Sequence, residues 1–468
     1  MTRPFPDHPY LVGFYRPFGA EMDAPDLVVE GALPEGLSGT FYRNGPDPLH
    51  PPHPEDRYHV FDGDGMVYAI RIGGGRASLR NRWVRTRKFE LERAAGRRLF
   101  GVFGNPRFND PSVSPMDYNT ANTHIWPHAG LVYALMEGCP PTAMDPETLE
   151  TRGPETFGGA VTGPFTAHPK TDPADGALHA FGYCARGPGS RDIRYNIIDA
   201  DGRLRHTAWL EQPWASMMHD FAVTASRVVF PCLPVVIDMG RALAGKPMAA
   251  WEPDRPAMFG IMDKGGPGGD SVAWHEAEQT FAFHVANGFD DGRDIVMDVA
   301  AARRAPLMPA ADGTLPDEQE TRFRLTRWRI GGNGHVHEER LDDLDIQFPR
   351  IDDRFQGSRT SRVFVNGTAR PTAGRIDGFD AVACIHTDTG RRDEFSFGPG
   401  AYCGEPVFVP RGPAEGDGWL LCLVWDSAAN ESALAVLDAT RVADGPVARV
   451  RMPARVPGGF HCHWRPAA

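Results

Sequence analysis

Apolar and polar residues alternate in short runs along most of this chain, the period-two pattern of half-buried strands. Runs at 130–136, 177–183, 227–232, 323–330, 419–425 and 432–437 are rich in β-branched and aromatic residues and read as hairpin arms. Turn formers stand between such runs at Asp62-Gly63-Asp64-Gly65, Asp172-Pro173-Ala174-Asp175-Gly176, Asp199-Ala200-Asp201-Gly202 and Gly331-Gly332-Asn333-Gly334, which predicts four tight hairpins. Small and apolar residues replace the alternation at 236–243 and 297–304, where a helical turn or two is expected. Residues 1–35 are proline-rich and read as a strap across the surface.

Composition narrows the class. With 43 prolines and 52 glycines among 468 residues, long helices are scarce, and the length suits two or three domains or one large all-β unit. An apolar share of 41% and a charged share of 24% are those of a soluble protein, and no apolar run reaches the roughly 18 residues that span a bilayer. The first residues show no apolar core and no small-residue cleavage site, so no secretion signal is expected and the cytoplasm is the default. Seven cysteines without Cys-x-x-Cys spacing argue against a disulfide framework or a zinc ribbon. A net charge of −12 disfavours nucleic-acid binding. The local exception is the stretch from Arg80 to Arg98, with Lys88 inside it, which reads as a solvated basic face.

Candidate chemistry centres on histidine. His219 opens an alternating run with Phe221 and Val223 on its own face, and taken alone it is a hydrogen-bonded core residue. Three other segments also set a histidine among apolar or small residues and turn formers: Thr166-Ala167-His168-Pro169-Lys170, Phe283-His284-Val285-Ala286-Asn287 and Gly459-Phe460-His461. The intervals are 51, 65 and 177 residues, the last being three steps of 59. A four-stranded propeller blade takes roughly 40 to 50 residues, more with long loops. Equivalent positions on successive inner strands would therefore meet on one axis, and four neutral imidazoles there could form one metal site.

These segments, together with Phe41-Tyr42-Arg43-Asn44-Gly45-Pro46, His59-Val60-Phe61-Asp62-Gly63-Asp64-Gly65-Met66 and Gly404-Glu405-Pro406-Val407-Phe408-Val409-Pro410, resemble in content and order the signatures of the carotenoid cleavage oxygenase family. That family includes carotenoid and apocarotenoid cleavers, lignostilbene dioxygenases and the retinal pigment epithelium isomerase. The resemblance runs nearly end to end. It implies an all-β, seven-bladed β-propeller over residues 1–468, capped by loops and short helices, with non-haem Fe2+ on the axis held by His168, His219, His284 and His461. Three glutamates orient the rings in the family. Glu137 and Glu405 match two of them, and Glu137 is expected to pair with His219 and Glu405 with His461. At the third position stands Gln347, a neutral acceptor for His284. Thr123 matches a residue whose methyl narrows the position opposite one histidine.

Rival ligands are weaker. His463 shares a face with His461 in any strand; Pro127 and Ile125 break a metalloprotease pattern at His124 and His128. Cys462 replaces the usual glycine and is expected to crowd the metal. The reaction that the resemblance implies is scission of a conjugated C=C bond by O2 into two carbonyls. Where lignostilbene cleavers use a tyrosine and a lysine to bind and ionise a phenol, Phe103 and Met136 stand here, so an apolar alkene such as a carotenoid or apocarotenoid is expected ahead of a hydroxystilbene or phenylpropenoid. Two readings from other classes stay open: a propeller hydrolase, whose Ca2+ site would want carboxylates instead of four histidines, and a non-enzymatic propeller scaffold without metal. Phe14, Tyr15, Trp214, Met258 and Phe259 are the candidates for loops that rest on a membrane.

Overall fold

A computed structural model describes residues 4–54, 58–103, 105–369 and 378–467. Among them, seven antiparallel sheets of four to six strands stand around one axis, and one small two-stranded sheet is added. The predicted arms become the strands Leu131–Leu135, Leu178–Tyr183, Arg227–Cys232, Arg324–Ile330, Gly418–Asp426 and Glu431–Asp438. Their inward residues feed a run of buried clusters between neighbouring blades.

The two ends of the chain close the ring. Cys462–Pro466 pairs antiparallel with Gly39–Pro46, so the innermost strand of the first blade comes from the C-terminus. The strap is more than a surface ribbon: Met22–Ala24 pairs with Arg76–Trp83, and Val29–Gly31 pairs with Pro446–Arg451. Its outer strands thus tie the first blade to the last.

Three of the four expected hairpin turns are present, between Lys170–Thr171 and Leu178–Tyr183, Asp192–Ile198 and Leu204–Glu211, and Arg324–Ile330 and Val336–Arg340. The fourth is not. Gly39–Pro46 pairs with Gly65–Gly73 across a long connection, and Asp62 and Asp64 end that connection as partners of buried cations. Residues 297–304 are also corrected, for most of them lie in the strand Asp294–Ala302, buried between two strands of its blade. A fully buried strand has no polar alternation, and its small residues mimic a helical pattern. At 236–243 the reading is half right: Val235–Ile237 is a strand, and Met239–Leu243 is a helix capped by Asp238.

The basic stretch divides into two. Arg80, Arg82 and Arg85 pair with Asp23 and Glu21 at the surface. The helix Arg87–Ala95, capped by Thr86 and stopped at Gly96 with φ 65°, turns Lys88 inward. Lys88 Nζ lies 2.6 Å from Asp64 Oδ1 and 2.8 Å from Glu92 Oε2, with all three side chains at most 2% exposed. Burial alone would raise Glu92, but Lys88 and Arg98 hold it down at about 2. Glu92 Oε1 accepts the N–H groups of Leu99 and Phe100, and Arg98 donates to the carbonyls of Asp62 and Phe100. The solvated face is therefore wrong at Lys88 and Arg98, whose partners come from 24 or more residues upstream, from the helix Arg87–Ala95 or from the segment just after it. This cluster pins the segment that leads to Phe103.

Lys88→Met should lower unfolding stability by about 3–5 kcal/mol, because Asp64 and Glu92 are left as buried, underpaired charges. Arg93→Ala, which breaks an exposed pair with Glu90, should leave it nearly unchanged. Urea unfolding midpoints of the two variants check this.

Candidate metal centre

Seven blades bring seven inner-strand starts to the axis. His124 opens its inner strand, His168 stands two residues before Lys170–Thr171, and His219 stands three before Ala222–Val223. His284 and Gln347 lie near the starts of Phe281–Asp291 and Asp345–Arg350, Glu405 precedes Val407–Pro410, and His461 precedes Cys462–Pro466. The spacing inferred from the sequence thus reflects one structural position per blade.

One atom from each of His168, His219, His284 and His461 lies within 4.8 Å of the others. Their Nε2 atoms face inward: His168 Nε2 is 2.9 Å from His219 Nε2, which is 3.3 Å from His284 Nε2. The opposite nitrogens are held from behind. His219 Nδ1 bonds Glu137, His284 Nδ1 is 2.7 Å from Gln347 Oε1, and His461 Nδ1 is 3.1 Å from Glu405 Oε1. Each acceptor fixes which nitrogen carries the proton and leaves Nε2 with a lone pair facing the centre. All three expected pairings are therefore present in the geometry. Burial first, then repulsion from a neighbouring histidine, holds His168, His284 and His461 well below the usual imidazole range. They are neutral, as metal-ligating imidazoles must be.

Gln347 owes its place to a break in the strand. Phe348 has φ 49°, and the register shifts between Gln347 and Arg350, so two consecutive side chains reach the histidines where a regular strand would aim them to opposite faces. Phe348 packs 5.1 Å from the His284 ring and 5.0 Å from that of His461. Gln347 Nε2 is buried without a partner, and so is Oδ1 of Asn366, which stands directly opposite in the ladder.

Some neighbours were not foreseen. Tyr183 donates to the second oxygen of Glu137; its only sequence signal is its place at the end of an alternating strand. His124 packs 4.8 Å from the His461 ring, yet its Nδ1 is 2.7 Å from the Ala167 carbonyl, which keeps that nitrogen from a metal. His463 lies apart against Trp126, and burial lowers it to about 4. Cys462 does not crowd the centre: its side chain belongs to the core of the closing blades, and its N–H donates to Glu405. Thr123 sits beside His461, whose N–H donates to its carbonyl at 3.2 Å.

On the other side of the histidines the walls are apolar. Phe103 meets Phe61 edge to face at 5.4 Å, Phe61 meets Phe460 at 5.6 Å, and Phe283 meets the His219 ring at 5.3 Å. Phe103 is 37% exposed, which puts this aromatic series in reach of solvent. Met136 is partly buried beside Glu137, and its sulfur accepts the Gly138 N–H. The residues named for membrane contact do not face outward, since Tyr15, Trp214 and Phe259 are buried and Phe14 and Met258 partly so.

A family model described as retinal pigment epithelial membrane protein matches residues 15–466. The chain belongs to the carotenoid cleavage oxygenase family. Isoeugenol monooxygenase of Pseudomonas nitroreducens is 36% identical over 486 aligned positions, covering 100% of both chains. Carotenoid cleavage oxygenase 1 of Neurospora crassa is 36% identical over 475 positions, 97% of this chain and 89% of its own. The crystal structure of Pseudomonas brassicacearum lignostilbene dioxygenase superposes with a TM-score of 0.94 at 37% identity over the full length of both. This family member thus shares its seven-bladed frame with alkene-cleaving oxygenases of more than one kind.

The neutral rings set a pH dependence. Unfolded histidine titrates near 6.5, while these buried rings stay neutral far below it, so under pH 6.5 the unfolded chain binds more protons. Stability is full above pH 6.5 and falls as the pH drops towards the folded values, by up to about 1.4 kcal/mol per pH unit for each such ring. Melting curves of the metal-free chain should therefore shift steeply downward between pH 6.5 and 5; a flat profile there would contradict neutral burial.

Proposed function

We propose that this chain is a non-haem ferrous dioxygenase that splits one C=C bond of an apolar conjugated alkene with O2, giving two carbonyl products. The observation that carries this reading is the convergence of four imidazoles, three of them turned by acceptors behind them. An all-nitrogen shell suits a first-row transition metal and not calcium or magnesium. Affinity order alone would favour copper, so iron is drawn from the family likeness and from metal supply. His168, His219, His284 and His461 are the residues that would hold ferrous iron, which would supply the dioxygen chemistry.

The chain's own residues do the rest. Glu137, Gln347 and Glu405 hold the ring protons on Nδ1. Thr123, with its carbonyl on the His461 N–H, narrows one approach to the metal. The series Phe103, Phe61 and Phe460 runs from the surface to the residue beside His461. All seven cysteines are unpaired and buried, which supports a reducing, cytoplasmic setting.

Phe103 and Met136 support one substrate class over another. Neither side chain can donate a hydrogen bond or carry charge. A phenol desolvated against them without a partner loses on the order of 1–3 kcal/mol. A carotenoid or apocarotenoid, or another non-phenolic alkene, is favoured. The second reading, a stilbene or phenylpropenoid, is supported by likeness to the isoeugenol and lignostilbene enzymes.

Replacing His168, His219, His284 or His461 with Ala should remove iron and activity together, while His463→Ala keeps its iron; elemental analysis beside oxygen uptake tests each. Full iron occupancy in one of the four variants would strike that residue from the ligand set. Assayed on a substrate panel, the wild type should turn over an apocarotenoid or a 4-methoxystilbene at least as fast as the 4-hydroxystilbene. Much faster turnover of the hydroxystilbene than of both would reverse the substrate preference.

A further inference from the structure

A buried ion pair lies beside the histidines and takes no part in the reading above. Lys170 Nζ is 2.7 Å from Asp220 Oδ1, with the side chains 11% and 3% exposed. Both residues line the same cavity as His168, His284 and His461. Asp220 Oδ1 also accepts its neighbour's N–H, from Phe221 at 2.8 Å, and Oδ2 accepts the N–H of Val285 at 2.8 Å. The sequence positions give these contacts their meaning. Lys170 comes two residues after His168, Asp220 directly follows His219, and Val285 directly follows His284. One carboxylate therefore joins three successive blades at residues that adjoin three of the four histidines. The fourth, His461, is held separately by Glu405, which Arg350 approaches at 3.4 Å.

We propose that Asp220, held by Lys170, is a positioning residue for the metal centre: it sets the spacing of His168, His219 and His284 by tying their backbones together. This rests on the reading that the four histidines hold a metal. The short inner strands make such a tie necessary. Lys170–Thr171 and Ala222–Val223 are only two residues long, and each pairs with its own blade and not with the next. Ladder hydrogen bonds thus do not set the distance between blades; apolar packing does so in the core, and this side-chain contact adds a polar tie beside the histidines. Charge matters as well as reach. Lys170 is the charge partner of this deeply buried side chain, and the two oxygens of Asp220 together accept from Lys170, Phe221 and Val285. Asparagine at this position has one acceptor oxygen, so its amide nitrogen would face a backbone or ammonium donor.

The test uses the full chain stripped of metal and titrated with cobalt(II), with the visible absorption bands reporting ligand geometry and thermal unfolding of the metal-free chain recorded beside it. Lys170→Met and Asp220→Asn should bind cobalt about tenfold to a hundredfold more weakly than wild type and shift its bands, and Lys170→Arg should restore both. Should Asp220→Asn fail to fold, Lys170→Met decides. Wild-type affinity and bands in Lys170→Met, even with a lowered melting temperature, would show a purely structural staple and overturn the inference alone. A wild-type chain that takes up no cobalt overturns the metal reading, and the inference falls with it.

Discussion

Everything at the axis depends on the antiparallel pairing of Cys462–Pro466 with Gly39–Pro46, because that contact closes the ring and carries the last histidine to the other three. The backbone of His461 is engaged on both sides of this seam: Asn44 of the first blade donates to its carbonyl at 3.0 Å, and its own N–H reaches the carbonyl of Thr123, just before the inner strand of the next blade, at 3.2 Å. The outer strands of the N-terminal strap reinforce the same closure on the first and last blades. An open ring would still have sheets, but it would present three histidines and not four. Metal affinity and global stability are coupled through this seam, since binding to the closed form draws the equilibrium towards it.

Electrostatics at the centre follows from burying neutral rings and placing acceptors behind them. Carboxylates stand behind His219 and His461, and an amide behind His284. The amide contributes no charge, so a divalent ion here is offset by one carboxylate fewer than in the three-glutamate pattern of the family. Gln347 Nε2 and Asn366 Oδ1 are both buried without a hydrogen-bond partner, on residues that stand opposite each other in the ladder.

The molecule separates its charged and apolar tasks. Ion pairs hold segments in place: Lys88, Asp64, Glu92 and Arg98 pin the path to Phe103, and Lys170 with Asp220 joins the inner strands on the cavity that the histidines line. The residues that lead from solvent to the histidines are phenylalanines that touch edge to face. The aromatic faces of that series are the basis for proposing an alkene without polar ends ahead of a phenol.

Alternation and turn chemistry were enough to place the hairpin arms, because in a half-buried strand each residue's environment is decided by the period of two. The recurrence of histidine beside turn formers, and its likeness to a family pattern, likewise pointed to His168, His219, His284 and His461 and to the acceptors Glu137, Gln347 and Glu405. Local pattern failed where burial was complete or where a partner lay far off in sequence. Residues 297–304 lost their alternation by being buried on both faces, and Lys88 and Arg98 looked like solvated cations until Asp64 and Asp62 were brought to them from the preceding connection. Cys462 could be placed towards the metal or away from it by its position alone, and the pairing of its strand turned it into the core. Residue type and spacing thus determined the strands, and likeness to a family pattern pointed to the ring and to the four histidines, because both are written in period and order along the chain. Which nitrogen of each ring faces the centre, why His124 is not a ligand, and how Asp220 joins three blades were decided only by the tertiary structure, because each depends on contacts between residues 43 to 82 positions apart that no local rule relates.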